Sequence, residues 1–284
     1  MLRAWAKDFA QATKLRLSST VVFSAALAYF IAADRVDVLV LGYVLLGGFA
    51  TTMAANLLNQ VIERDYDRQM QRTQDRPLAQ QRMSVPQGVL LAGLLSILGT
   101  LSLAAVGTEA MLLGVLALLS YAFVYTPLKR YSVVAVFVGT VPGAIPVLIG
   151  VVAAEGTLTS LGWSLFAIQV LWQIPHFWAI GWLAFDDYRK AGFRLLPTNA
   201  LGERDPGTGL QALVCGLLLA GLVFWPYLLG AFSLVATAAS SVLGLVYAYF
   251  GWRLYRQADR TSALRLMFFS LAYLPLVLIL GWLA

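Results

Sequence analysis

Long unbroken apolar runs separated by short polar punctuation dominate the chain, and neither strict alternation nor a two-sided helical stripe competes with them. Nine such runs lie at about 17–33, 39–60, 87–106, 111–126, 133–152, 161–185, 209–228, 232–252 and 264–284. Each is near the roughly 20 residues that a helix needs to cross a bilayer core, the run at 111–126 being the shortest. Backbone in lipid must satisfy its own hydrogen bonds, so these runs are expected to be helices. Pro142, Pro146, Pro175 and Pro275 fall inside them and are expected to kink them. The expected fold is an all-α integral membrane bundle of nine transmembrane helices, with residues 1–284 forming one unit without an internal linker.

Composition supports a lipid-facing chain. Of 284 residues, 60% are hydrophobic and 12% charged, whereas a soluble domain carries about a quarter charged residues. The single Cys215 sits in an apolar run and supports no disulfide framework, paired-thiolate zinc site or covalent haem attachment. A formal net charge of +6 would suit nucleic acid only if a basic soluble domain existed to hold it. Instead, nine helices place 19 of the 20 Lys and Arg on the side of the N-terminus and leave only Arg35 opposite. That asymmetry predicts a cytoplasmic N-terminus. In the first sixteen residues Leu2, Trp5 and Phe9 share a helical face, with Arg3, Lys7 and Lys14 among the polar positions. The segment reads either as an interfacial helix or as a basic flank. It fits neither a cleaved signal peptide nor an Arg/Ser-rich presequence, so a bacterial inner membrane is expected.

Polar chemistry is concentrated in a few places. The stretch "NQVIERDYDRQMQRTQDRP", residues 59 to 77, holds four acids and four arginines. Asn59, Glu63 and Asp67 stand at i, i+4 and i+8, within an arc of about 80° on a helix. Hard oxygen donors so spaced suit Mg²⁺ shared with a substrate phosphate, and acids at the membrane boundary demand partners. The alternative is a solvated loop whose acids balance Arg64, Arg68, Arg72 and Arg76. A second cluster follows the sixth run, in "WQIPHFWAIGWLAFDDYRKAGFRLLP", with Asp186, Asp187, Arg189, Lys190 and Arg194 on the same predicted side. Converging clusters would let carboxylates hold metal while Arg and Lys bind phosphate oxygens. The only histidine, His176, lies inside the sixth run among Trp172, Gln173 and Trp178. It reads equally as a core residue and as a group that touches a cofactor-like substrate. Lys129 and Arg130 in "YTPLKRYS" satisfy the positive-inside pattern as well as a binding role, and "GTVPGAIP" suits either close packing or room for a bulky ligand.

On these residues the chain resembles the UbiA superfamily of intramembrane prenyltransferases over effectively its whole length, and within it the branch that farnesylates haem. Asn59, Glu63 and Asp67 occupy the superfamily's Asn-x3-Asp-x3-Asp motif. "DRQMQRTQDRPL", "VYTPLKR", "GAIPVLIG", "WQIPHFW" and "DDYRKAGFRLLP" resemble the haem-farnesylating branch, and His176 matches its Pro-His-Phe. Two departures stand out. Glu63 replaces the usual Asp, and the second motif, Asp-x3-Asp, is broken, since Lys190 follows Asp186 and Ala191 follows Asp187 at that spacing.

The resemblance implies transfer of a farnesyl group from farnesyl diphosphate to the 2-vinyl group of haem b with addition of water, giving haem O and diphosphate. It further implies Mg²⁺ on Asn59, Glu63, Asp67 and Asp187, and diphosphate on Arg72, Lys129 and Lys190. Haem would contact His176 and, through its propionates, Arg76, Arg130 or Arg194. Haem A synthase or a terminal oxidase's assembly machinery would receive the product. The rivals are a related enzyme with an aromatic acceptor such as 4-hydroxybenzoate, a secondary transporter, and a structural subunit of an oxidase. The one-sided charge disfavours the transporter, which needs polar groups near the midplane and access from both faces.

Overall fold

A computed structural model describes residues 2–284, the side chain of Leu2 lying outside the described part. After a first helix α1 (Leu2–Ala12) come the rods α2 (Leu15–Ala32), α3 (Val38–Asp67), α4 (Val85–Val106), α5 (Thr108–Leu128), α6 (Ala135–Glu155) and α7 (Ser160–Leu183). A short α8 (Phe185–Lys190) then leads to α9 (Gly207–Leu228), α10 (Leu234–Gln257) and α11 (Arg260–Trp282). Among the described residues the nine expected rods are therefore present. Eight are apolar enough to cross a membrane by length and composition. The other long rod, α7, has no charged residue but carries Gln169, Gln173 and His176.

Two boundaries differ from expectation in ways that matter for chemistry. Helix α3 runs on to Asp67, so Asn59, Glu63 and Asp67 lie on helix and only the rest of the acidic stretch, from 68 onward, is turns. Helix α5 extends to Leu128 through a π-helical segment at Ser120–Tyr125. Its wider turn lets Thr126 Oγ1 donate to Tyr121 O at 2.9 Å, and such segments recur at functional sites.

The sequence supplies caps where the rods begin. Ser84 and Gln87 form a capping box at α4, and Asp37, Thr159, Ser233 and Asp259 accept from first-turn N–H groups of α3, α7, α10 and α11. Lateral packing follows membrane rules. Leu90, Leu94, Ile97 and Leu101 of α4 recur on one face and are 64%, 56%, 60% and 64% exposed, which is the face a lipid solvent would cover. Small residues bring backbones together: a Cβ at Gly244 of α10 would lie 2.6 Å from Ala220 N of α9. Helix α6 is buried around most of its girth, packed against α2, α5 and α7, and α11 closes the bundle against α2, α7 and α10. Pro142, Pro146, Pro175 and Pro275 all lie within helices, as anticipated.

Helix α1 docks on the same end of the bundle as the charged loops. Arg82 Nε pairs with Asp8 at 2.9 Å, and Gln60 Nε2 donates to Ala12 O at 2.8 Å. Trp5 stacks on Phe9 with centroids 5.5 Å apart. The chain then turns through Lys14, a non-glycine residue at φ 48°, a conformation that costs free energy unless its surroundings hold it. Replacing Gly244 by Leu should overpack the α9–α10 contact by about 1–3 kcal/mol, lowering the unfolding temperature of the detergent-solubilised protein in a calorimetric scan.

Candidate active site

Helical phase places Asn59, Glu63 and Asp67 on the inner face of α3, and all three are buried. A buried carboxylate without a partner is costly, and each acid here has one. Lys129, arriving from the end of α5, pairs with Glu63. Arg76, from the loop after α3, directs Nη1 to both oxygens of Asp67 at 2.8 Å. Asn59 links the set: its Nδ2 donates to Glu63 Oε2 at 2.8 Å and Thr126 Oγ1 at 3.1 Å, while its Oδ1 accepts from Lys14 Nζ at 3.0 Å. That bond anchors the left-handed turn between α1 and α2.

Three cations, Lys14, Lys129 and Arg76, thus surround two carboxylates. Burial drives the Lys14 ammonium well below the ordinary lysine range, and the nearby charges of Arg76 and Lys129 push it further the same way. Burial also lowers Lys129, with Glu63 opposing. Lys129 and Arg76 balance the two carboxylates, and Lys14 adds a third basic group whose protonated form an incoming anion would favour.

Aromatic rings complete the walls. Lys129 Nζ lies 5.0 Å from the centre of the Tyr125 ring and 5.6 Å from that of Phe193. Arg130 stands over Tyr66 at 4.4 Å, and Tyr66 packs on Phe193. Arg72 belongs to the rim: its backbone N donates to Asp187 Oδ2 at 3.2 Å and its Nη2 to the Tyr188 hydroxyl at 3.1 Å. The two sequence clusters do meet, therefore, but through Arg72 and Asp187 rather than through a common set of carboxylates. Among the described residues no group of three or more His, Cys, Asp or Glu side chains is assembled to hold a metal. Asp186 turns away to Arg204 at 2.8 Å, and Arg189 reaches Gly202 O at 3.3 Å. Lys190 and Arg194 are exposed; the backbone N of Arg194 donates to Lys129 O at 2.7 Å. Lys14, Tyr66, Tyr125, Thr126, Tyr188 and Phe193 are the members of this site absent from the sequence-based set.

One helical turn along α3 from Asn59, at Asn56, begins a chamber of about 310 Å³ among α2, α3, α5, α6, α7 and α11. Its walls are mostly apolar, with Tyr121 and Tyr125 at the charged end and Gln169, Gln173 and His176 along α7. A separate cavity of about 610 Å³ lies beside α8, lined by Tyr188, Arg189, Phe193 and Arg194 among others.

A charged, oxygen-bearing mouth above an apolar chamber inside a membrane bundle has the polarity that suits an amphiphile with an anionic head and a hydrocarbon tail. The comparisons make the class specific. The chain belongs to the UbiA prenyltransferase family, whose sequence profile matches residues 21–272. It is 40% identical over 276 residues to a protoheme IX farnesyltransferase of Christiangramia forsetii, covering 95% of this chain and 90% of the relative. The corresponding protein of Cytophaga hutchinsonii is 42% identical over 270 residues, with 93% of each chain covered. A solved digeranylgeranylglyceryl phosphate synthase superposes with a TM-score of 0.80 at 18% identity, covering 98% of this chain and 97% of that one. A UbiA homologue from Archaeoglobus fulgidus, solved with GPP and Mg²⁺, gives 0.66 at 15% identity, covering 96% and 99%. This is a multi-pass membrane prenyltransferase.

Breaking the Arg76–Asp67 pair tests the electrostatic arrangement. Arg76→Gln leaves Asp67 buried and uncompensated, which should cost about 3–5 kcal/mol in the metal-free, substrate-free protein. A chemical-denaturation or thermal scan in detergent measures it.

Proposed function

We propose that this enzyme transfers the farnesyl group of farnesyl diphosphate to the 2-vinyl group of haem b, with addition of water, to give haem O and diphosphate. The observation that carries the proposal is 40–42% identity over nearly the whole length of two protoheme IX farnesyltransferases. The site geometry is of the kind this chemistry requires.

Charge grows on diphosphate oxygen as the allylic C–O bond breaks, so catalysis needs cations aimed at the leaving group and a dry space for the cation left behind. Lys129, Lys14 and Arg76 are the inner cations, with Arg72 at the rim. Arg76 thereby moves from the haem side, where the sequence placed it, to the diphosphate side. Lys190, exposed on α8, would meet the head group only at the outer mouth. Asn59, Glu63 and Asp67 supply hard oxygen donors on one buried face, a donor set that fits Mg²⁺, and Asp187 adjoins through Arg72. A bound Mg²⁺ would neutralise the diphosphate's growing charge. Glu63 and Asp67 would take up the ion while Lys129 and Arg76 turn to phosphate oxygens, so that each charge exchanges one partner for another and none is stranded.

The farnesyl tail would enter the chamber. His176 on its α7 wall would face the haem, and Arg130 and Arg194, both exposed at the mouth, would take the propionates. We further read residues 1–284 as one prenyltransferase unit in a bacterial inner membrane, α1 lying in the interface and the mouth facing the cytoplasm. The near-complete confinement of Lys and Arg to one side supports that orientation. Haem A synthase or an oxidase assembly factor would then receive the product.

The reaction is tested by incubating purified enzyme with haem b, farnesyl diphosphate and Mg²⁺ and weighing the haem. Addition of one farnesyl group and one water is expected; unmodified haem from folded protein would refute the proposal. Asp67→Asn should lower turnover by about 10²-fold or more at limiting Mg²⁺, in line with loss of a group that stabilises transition-state charge. Near-normal turnover would remove the metal role.

A further inference from the structure

Helix α7 carries Gln169, Gln173 and His176 at i, i+4 and i+7, one helical face, and all three line the apolar chamber. The hydrogen bonds they already make decide which atoms are left. Gln169 Nε2 donates to Gly143 O at 2.7 Å, and Gln173 Nε2 donates to Thr140 O at 3.1 Å and Gln169 O at 3.0 Å. Because those partners are carbonyl oxygens, the amide nitrogens must face them, and the amide oxygens are left over. Gln169 Oε1 is buried with no partner. Gly143 makes room for Gln173, since a Cβ there would collide with Gln173 Oε1.

His176 is held on its other edge. Ser270 Oγ donates to Met267 O at 2.6 Å, so toward His176 Nδ1, 2.7 Å away, it can only accept. The imidazole is therefore the Nδ1–H tautomer, and its Nε2 carries a bare lone pair. Trp172 locks the arrangement. Its Nε1 donates to Ser270 O at 2.6 Å, and its ring stacks on the imidazole at 5.2 Å and 17°. Gln173 and His176 thus present acceptors on the chamber wall with their own donors already spent.

A ligand with two O–H donors and no charge matches such a wall, and a bound water would be oriented with its protons to α7 and its lone pairs toward the chamber. We propose that Gln173 Oε1 and His176 Nε2 hold the water consumed in haem farnesylation, and that Nε2 accepts its proton. The proposal rests on the functional reading above. In that reaction the bond from farnesyl C1 to diphosphate oxygen breaks, and its electron pair leaves with the diphosphate. The terminal vinyl carbon bonds to C1, leaving the carbon next to the macrocycle electron-deficient. Water oxygen bonds to that carbon as one proton passes to Nε2, giving an imidazolium that later releases the proton to bulk water. The second proton stays as the product's hydroxyl hydrogen. Ser270 and Trp172 act as positioning residues, because they set the tautomer and plane of the ring. Without the base, the cation would lose a proton from the neighbouring methylene and give an alkene lighter by one water.

The mass of the haem product separates these outcomes. His176→Ala should shift the ratio of hydrated to alkene product by about a hundredfold, the low end of general-base effects. Ser270→Ala, which keeps the imidazole and the helix, should shift it in the same direction, and Ser270→Thr should restore it. An unchanged hydrated fraction in both alanine variants would overturn the proposal. So would loss of all alkylated haem with an altered haem absorption spectrum, which would make His176 an iron ligand. If the unmodified enzyme itself makes no farnesyl haem, the functional reading fails. If it does and the variants match it, only the water assignment fails.

Discussion

Two carboxylates on one buried face of a transmembrane helix are the constraint that organises this molecule. Glu63 and Asp67 have no water to solvate them, and an uncompensated charge at either position would cost several kcal/mol. Their compensation comes from far along the chain: Lys129 from the end of α5, Arg76 from the α3–α4 loop, and Lys14 from the α1–α2 junction through Asn59. Three segments with no regular structure in common are thereby tied to one helix end. The left-handed backbone at Lys14 and the π-helical segment before Thr126 are local costs accepted within that arrangement.

The same pairs that stabilise the buried acids would suit them to a ligand that carries both charges. On the proposed reading, Glu63 and Asp67 would hold the metal while Lys129 and Arg76 turned to diphosphate oxygens, so that no charge would be left stranded. Catalytic cations held in place beforehand need little reorganisation as charge develops. Below them the chamber is nearly free of charge. A short-lived allylic cation would meet aromatic faces and amide oxygens there and almost no bulk water, which keeps premature hydrolysis in check.

Much of this was legible in the sequence because period and phase are local properties. Asn59, Glu63 and Asp67 lie on one face because α3 continues through them, and apolar runs marked every long rod. What escaped was set by long-range geometry. Lys14 looks like any basic flank of a first helix, and nothing nearby shows that a turn aims it at Asn59. Asp186 and Asp187 are neighbours, yet on a short helix they diverge by about 100°, sending one to Arg204 and the other to Arg72. Ser270, which sets the tautomer of His176, lies 94 residues away in sequence.

The claim on which the account turns is that buried acids and cations exchange partners when metal and diphosphate arrive together. Calorimetric titration with a non-ionising thio-analogue of farnesyl diphosphate, with and without Mg²⁺, measures this directly. Reciprocal coupling is expected, each ligand tightening the other by about tenfold or more, equivalent to about 1.4 kcal/mol, with its loss in Asp67→Asn. Equal affinity of the analogue with and without Mg²⁺, in protein shown to be folded, would contradict it.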